Sequence, residues 1–126
     1  MSQRTLLVVE DDPGLQEAII DTLELSGYHC LTADCGEAAL VVLQRQKVDM
    51  IISDVQMPGM DGLSLLQNVQ HLYAQIPMLL MTAFGNIEGA VRAMRDGAVD
   101  YLVKPFAPEV LLNQVSRYVP DRKSVV

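Results

Sequence analysis

Met50-Ile51-Ile52-Ser53-Asp54-Val55-Gln56-Met57-Pro58-Gly59-Met60-Asp61-Gly62 is the stretch that decides the fold. An apolar run ends on an acid, Asp54, and the turn that follows holds one Pro and two Gly. Apolar runs of this length between turn signals read as buried strands. A carboxylate at the end of such a strand has apolar walls on one side and solvent on the other. Open α/β sheets bind ligands at the carboxyl ends of their strands, so Asp54 is the first candidate for chemistry.

The same alternation extends outward in both directions. Before the stretch, Leu6–Val9 reads as a strand that ends in Glu10-Asp11-Asp12. Pro13 suits the first turn of a helix, and an Asp before it serves as an N-cap. That helix is expected to run to about Ser26, with Leu15, Ile19 and Leu23 at helical spacing and Gly27 closing it. Tyr28–Ala33 reads as a second strand. Asp34-Cys35-Gly36 opens a second helix to about Gln46, with Ala39, Leu40 and Leu43 inward. Val48–Asp54 is the third strand.

Beyond the stretch, Asp61-Gly62 begins a helix whose apolar positions Leu65, Leu66, Val69, Leu72 and Tyr73 follow a 3.6-residue period. Ile76–Thr82 is a fourth strand. Gly85-Asn86 turns into a helix with Ile87, Ala90, Val91 and Met94 on one side, closed by Gly97. Val99–Val103 is the fifth strand, and Pro108 opens a last helix to about Val119. Residues 1–119 thus read as one domain and residues 120–126 as the start of a linker. Strand followed by helix, five times over, with nearly continuous apolar strands, implies a parallel sheet covered on both faces. The expected fold class is α/β: a flavodoxin-like (βα)5 three-layer sandwich with strand order 2-1-3-4-5.

Composition narrows the function. A chain of 126 residues is one domain by length. The formal net charge of -7 argues against binding of nucleic acid or anionic membrane by this segment. Cys30 and Cys35 match no common zinc or redox spacing and read as reduced thiols of a cytoplasmic protein. Met1-Ser2-Gln3-Arg4-Thr5 lacks the pattern of a signal peptide, and no apolar run approaches the ~20 residues of a membrane span.

A parallel sheet presents every strand's C-terminal end at one edge. Asp11, Asp12, Asp54, Thr82 and Lys104 are therefore expected together. Three carboxylates in close quarters repel one another, and protonation or a bound cation relieves this. Hard oxygen ligands suit Mg²⁺, which commonly pairs one or two carboxylates with a phosphate oxygen. Carboxylates, Mg²⁺, a Lys and a Thr hydroxyl make a site for a phosphoryl group, and Asp is a phosphoryl acceptor in several enzyme classes. Each residue has a plainer reading beside this one. Asp12 serves as a helix cap, Thr82 as a structural strand end, Lys104-Pro105 as a turn, and Asp54 as a cap of its own loop. The weight lies in the joint pattern of four strand ends, each carrying the needed group.

Val9-Glu10-Asp11-Asp12, Ser53–Gly62, Met81-Thr82-Ala83 and Tyr101–Phe106 together resemble the receiver domain of two-component response regulators. The resemblance covers about Thr5 to Val119. It implies that Asp54 takes a phosphoryl group from a phosphohistidine on a sensor histidine kinase. It also implies that Asp11, Asp12, Asp54 and the backbone carbonyl of Gln56 hold Mg²⁺, with Mn²⁺ able to substitute. Lys104 would pair with phosphoryl oxygens, the Lys104–Pro105 bond would be cis, Thr82 would move toward the phosphoryl group, and Tyr101 would turn inward behind it. Thr82-Ala83-Phe84-Gly85 and Asp100–Phe106 look most like the NtrC-type subgroup. Members of that subgroup carry a central AAA+ ATPase acting on σ54-RNA polymerase and a DNA-binding domain, with homodimerisation on activation as a further expectation.

Gln56 and Phe84, each two residues past a site residue, are expected to govern access of water to the aspartyl-phosphate. The fourth helix, fifth strand and fifth helix are the expected output face, with Ala90, Ala93 and Ala98 allowing a partner's close approach or simply suiting a helix. Three other functions compete with this regulatory, non-metabolic role. A Mg²⁺-dependent aspartyl phosphatase would need a second acid where Gln56 stands. A degenerate receiver, acting only through protein contacts, sits poorly with a full set of site residues. A nucleotide-binding domain would need a glycine-rich loop after the first strand, which is absent.

Overall fold

The computed structural model describes residues 3–83 and 87–120. The expected turn at Gly85-Asn86, Phe84 and the linker from residue 121 onward lie outside these. Five strands and five helices alternate: β1 (Thr5–Val9), α1 (Pro13–Leu25), β2 (His29–Ala33), α2 (Gly36–Arg45), β3 (Met50–Asp54), α3 (Gly62–Leu72), β4 (Met78–Ala83), α4 (Ile87–Arg95), β5 (Asp100–Lys104) and α5 (Pro108–Tyr118). The strands form one sheet, all pairs parallel, in the order β2-β1-β3-β4-β5. This is the flavodoxin-like order expected from the sequence.

Alternation along each strand divides the core in two. Leu7, Val9, Ile51, Met78 and Leu80 face the side covered by Ala39 and Leu43 of α2, Leu65, Leu66 and Val69 of α3, and Ala93 of α4. Leu6, Val8, Met50, Ile52, Leu79 and Met81 face Ile19 and Leu23 of α1 and Leu111 and Val115 of α5. The central strands are apolar at consecutive positions because both faces are covered. No described helix is long and apolar enough to cross a membrane.

Local chemistry sets the element ends. Asp12 caps α1, its Oδ1 accepting from the amides of Gly14 (3.0 Å) and Leu15 (3.3 Å), with Pro13 in the first turn. Asp61 caps α3 by accepting from Ser64 N at 2.8 Å. Gly27 has φ +97 just past the end of α1, where a side chain would be strained. Cys35 caps α2 through Sγ. Both cysteines are free thiols, and burial pushes the Cys30 thiol up to about 12.

Two helices depart from the expected faces. On α3, Leu65, Leu66 and Val69 are buried, but Leu72 at the last turn is 59% exposed. On α4 the buried residues are Ala90 and Ala93, while Ile87, Val91 and Met94 stand in solvent. The expected apolar side is therefore two adjacent stripes, a small one inside and a larger one outside. Ala90, Ala93 and Ala98 are buried within the domain, Ala93 and Ala98 in the α2–α3 side of the core, so they are not open to a partner. Their small side chains let α4 lie close to the sheet.

Leu66→Ala, at a fully buried position, is expected to cost about 2–5 kcal/mol of unfolding free energy, and Leu72→Ala to stay within about 0.5 kcal/mol. Urea denaturation of the two variants checks the assignment, and a similar loss in both would contradict it.

Candidate functional site

Strands β1, β3, β4 and β5 are consecutive in the sheet, so their carboxyl ends form one continuous edge. Asp54 closes β3, Thr82 stands one residue before the end of β4, and Lys104 closes β5. Glu10 and Asp11 follow β1 directly. Asp54 is only 8% exposed, Thr82 and Glu10 about 1% each.

The Lys104 ammonium lies between two acids. Its Nζ donates to Asp54 Oδ2 at 2.7 Å and to Glu10 Oε1 at 2.9 Å. Burial opposes its charge, but these bonds and the two negative neighbours outweigh burial and hold Lys104 above the usual lysine range. Glu10 is pushed above the usual carboxylate range, chiefly by burial, against the pull of Lys104 and the Asp12 amide. Asp54 Oδ1 accepts from Gln56 N at 3.1 Å, which folds the following loop back onto the acceptor.

One carboxylate oxygen each from Glu10, Asp11 and Asp54 lies within 4.8 Å of the others. Three acids against one ammonium leave roughly the charge a divalent cation cancels, and hard oxygen donors suit Mg²⁺. The residues thus fit the expected ion, with one change of membership. Asp12 was expected among the ligands. Its carboxylate instead caps α1, and Glu10 takes the third place in the cluster.

The structure brings Asp11, Asp54, Thr82 and Lys104 to the edge and leaves Asp12 on the adjoining helix cap. Gln56 is exposed in the loop directly after Asp54. Tyr101 lies on β5, 39% exposed and outward. The Lys104–Pro105 bond is cis, as the resemblance implied. Thr82 Oγ1 is buried without a hydrogen-bond partner among the described residues. An orphaned hydroxyl is costly and calls for an explanation, and a ligand oxygen at the adjoining edge would supply the partner.

Sequence reading missed Glu10 as a site residue, although it stood in a quoted motif. It also missed Gln16, whose Nε2 donates to Glu10 O at 3.0 Å and Ala33 O at 3.3 Å. That bond ties the loop after β1 to the end of β2, and nothing in the sequence marks it.

A profile described as the response regulator receiver domain matches residues 6–116. The chain belongs to the response regulator receiver family. It is 52% identical over 113 residues to the response regulator protein FleR of Pseudomonas aeruginosa, covering 90% of this chain and 24% of FleR. It is 34% identical over 119 residues to the DNA-binding transcriptional regulator NtrC of Salmonella typhimurium, covering 94% of this chain and 25% of NtrC. The chain thus spans about a quarter of the length of these relatives, and the likeness to NtrC-type receivers read from its motifs holds. A crystal structure of a putative response regulator from Chloroflexus aurantiacus superposes with a TM-score of 0.89 at 35% identity, covering 93% of this chain and 98% of that one.

Exchanging the acids tests which of them hold a cation. Asp11→Asn and Asp54→Asn should each weaken Mg²⁺ binding by about tenfold or more. Asp12→Asn should change it little, because Asn caps a helix as well as Asp does. Affinity should fall with falling pH as the carboxylates protonate. The fall should set in above the ordinary carboxylate range, since Glu10 is held above it. Calorimetric titration with MgCl₂ reads each value.

Proposed function

We propose that the chain is a phospho-accepting switch. Asp54 takes a phosphoryl group from the phosphohistidine of a sensor histidine kinase. The observation that carries this reading is the buried Asp54 carboxylate at the end of β3, held by Lys104 at 2.7 Å beside the partnerless Thr82 hydroxyl. In the transfer, a bond forms between phosphorus and an Asp54 oxygen as the phosphorus–nitrogen bond breaks, and the imidazole leaves with its electron pair.

Transfer of this kind is mostly positioning and neutralisation of charge. Mg²⁺ would supply part of that neutralisation when bound. Asp11, Asp54 and the Gln56 backbone carbonyl would hold it, with Glu10 alongside; Mn²⁺ would serve in its place. Lys104 is already in contact with the acceptor and would follow the new oxygens. Gln56 and Phe84 would govern the access of water that ends the phosphorylated state.

The signal would leave through Thr82. Its hydroxyl has a free donor for a phosphoryl oxygen, and its shift would open room for Tyr101 to turn inward. Exposed Ile87, Val91 and Met94 on α4, with Tyr101 and Val103 on β5, make an apolar face suited to a protein partner. With α5 this would be the output face. Residues 1–119 would form the receiver of a cytoplasmic transcription regulator, and residues 120–126 would begin the linker to its other domains. The NtrC-type likeness supports an AAA+ ATPase acting on σ54-RNA polymerase and a DNA-binding domain, with dimers forming on activation.

Incubation with Mg²⁺ and a small phosphodonor should add one phosphate to the intact mass, and Asp54→Asn should abolish the adduct. No adduct under any donor would leave only a contact-making receiver. Beryllofluoride with Mg²⁺ should shift amide resonances along α4 and β5 as well as around Asp54. Shifts confined to the loops next to Asp54 would sink the output-face reading.

A further inference from the structure

Glu37 is an exposed acid that the site described above does not use. It stands in the first turn of α2, next to the loop that joins Asp54 to α3. Met60 N donates to Glu37 Oε1 at 3.4 Å. Glu37 Oε2 lies so near Gly59 that a Cβ there would sit 3.0 Å away, and Gly59 also has φ +74. A Cβ on the neighbouring Gly36 would sit 2.8 Å from Met60 Cγ. The loop therefore rests on the start of α2: Met60 crowds Gly36, and the left-handed φ of Gly59 disfavours a side chain there. Among the described residues Glu37 makes no ion pair, so its carboxylate serves the loop backbone alone.

Backbone bonds hold the loop along its length. Gln56 N is tied to Asp54 Oδ1 at 3.1 Å, Gly62 N to Val55 O at 2.8 Å, and Met60 N to Glu37. The first two lie within the β3–α3 connection itself, and a Cβ on Gly62 would overlap the Asp54 carbonyl oxygen. From outside the connection come the Glu37 contact of α2, the bond from Val55 N to Met81 O of β4 at 2.9 Å, and Asn68 Nδ2 of α3 at 3.9 Å from Met60 Sδ; the Glu37 contact is the one that holds the backbone of the loop's middle. We infer that Glu37 is a positioning residue: by accepting from Met60 N it fixes the loop carrying Gln56 and so sets the cation affinity of the acidic edge. The inference rests on the metal-binding reading given above. It assigns Glu37 no contact with the ion or the phosphoryl group.

The bond, rather than the charge, is what the geometry requires. Gln keeps an acceptor oxygen at the same reach; Ala keeps nothing. Glu37→Ala should weaken Mg²⁺ binding about three- to tenfold, the range of one ordinary hydrogen bond lost from an exposed site. Glu37→Gln should return to within about twofold of the parent. Amide hydrogen exchange at Met60, measured without metal, should speed up in Glu37→Ala and not in Glu37→Gln. A general loss of fold would speed exchange across β3 as well, which separates structural damage from release of the loop. An unchanged Mg²⁺ affinity in Glu37→Ala overturns the assignment, and so does equal weakening in both variants, which would make the charge the cause. A parent chain with no affinity for Mg²⁺ overturns the metal-binding reading itself.

Discussion

The Lys104 ammonium between Glu10 and Asp54 is the interaction on which the acidic edge depends. Two nearly buried carboxylates, with Asp11 beside them, would repel one another without a cation. Lys104 meets both at hydrogen-bond distance, but one positive charge does not cancel three acids. A buried ion pair is weak evidence of stabilisation, since its desolvation cost often offsets the attraction. The group is thus a poor stabiliser and a good receptor. It keeps a surplus of negative charge for a cation, and it holds an ammonium that a bound anion can recruit.

Such a group needs a frame that does not yield to its repulsion. The parallel sheet provides it. β1, β3, β4 and β5 are bonded side by side, and residues just below the edge, such as Val8, Ile52 and Met81, are fully buried. The register places Asp54 opposite Met81 and Thr82 opposite Val103. Asp54, Thr82 and Lys104 therefore stand at or next to the end of a strand, fixed by a ladder they do not have to stabilise. The turns do the rest: Gly62 lets the α3 start pass against the Asp54 carbonyl, where any side chain would collide.

That frame is why much of the site was legible in the sequence. Asp54, Thr82 and Lys104 each follow a short apolar run, and the strand order then makes them neighbours. The acids after β1 were harder to assign. Glu10, Asp11 and Asp12 are consecutive, and composition does not say which of them ends the strand and which starts the helix. Pro13 carried the deciding hint, because an Asp before a first-turn Pro is in the cap position. The faces of α4 were illegible for another reason. Its periodicity separates stripes but does not say which faces inward, and close packing selected Ala90 and Ala93 over the bulkier Ile87 and Val91. Gln16, by two bonds, and Glu37, by one, meet backbone of other segments, which no local pattern announces.

The packing of α4 bears on how a local charge could travel. Burial free energy scales with the apolar area removed from water, and α4 buries two methyl groups where α3 buries Leu65, Leu66 and Val69. The helix next after Thr82 in the chain is thus the one anchored by the smallest side chains. Thr82 Oγ1 lacks a partner, so the state described here leaves a bond unmade at the base of that same segment. In the proposed switch, an anion at the edge that accepts from Thr82 would remove this cost and draw the end of β4 toward it. The opposing cost, a shift of a helix resting on alanines, is small. Under the proposed switch, binding at the edge and movement of α4 would then be favourably coupled, as a two-state switch requires.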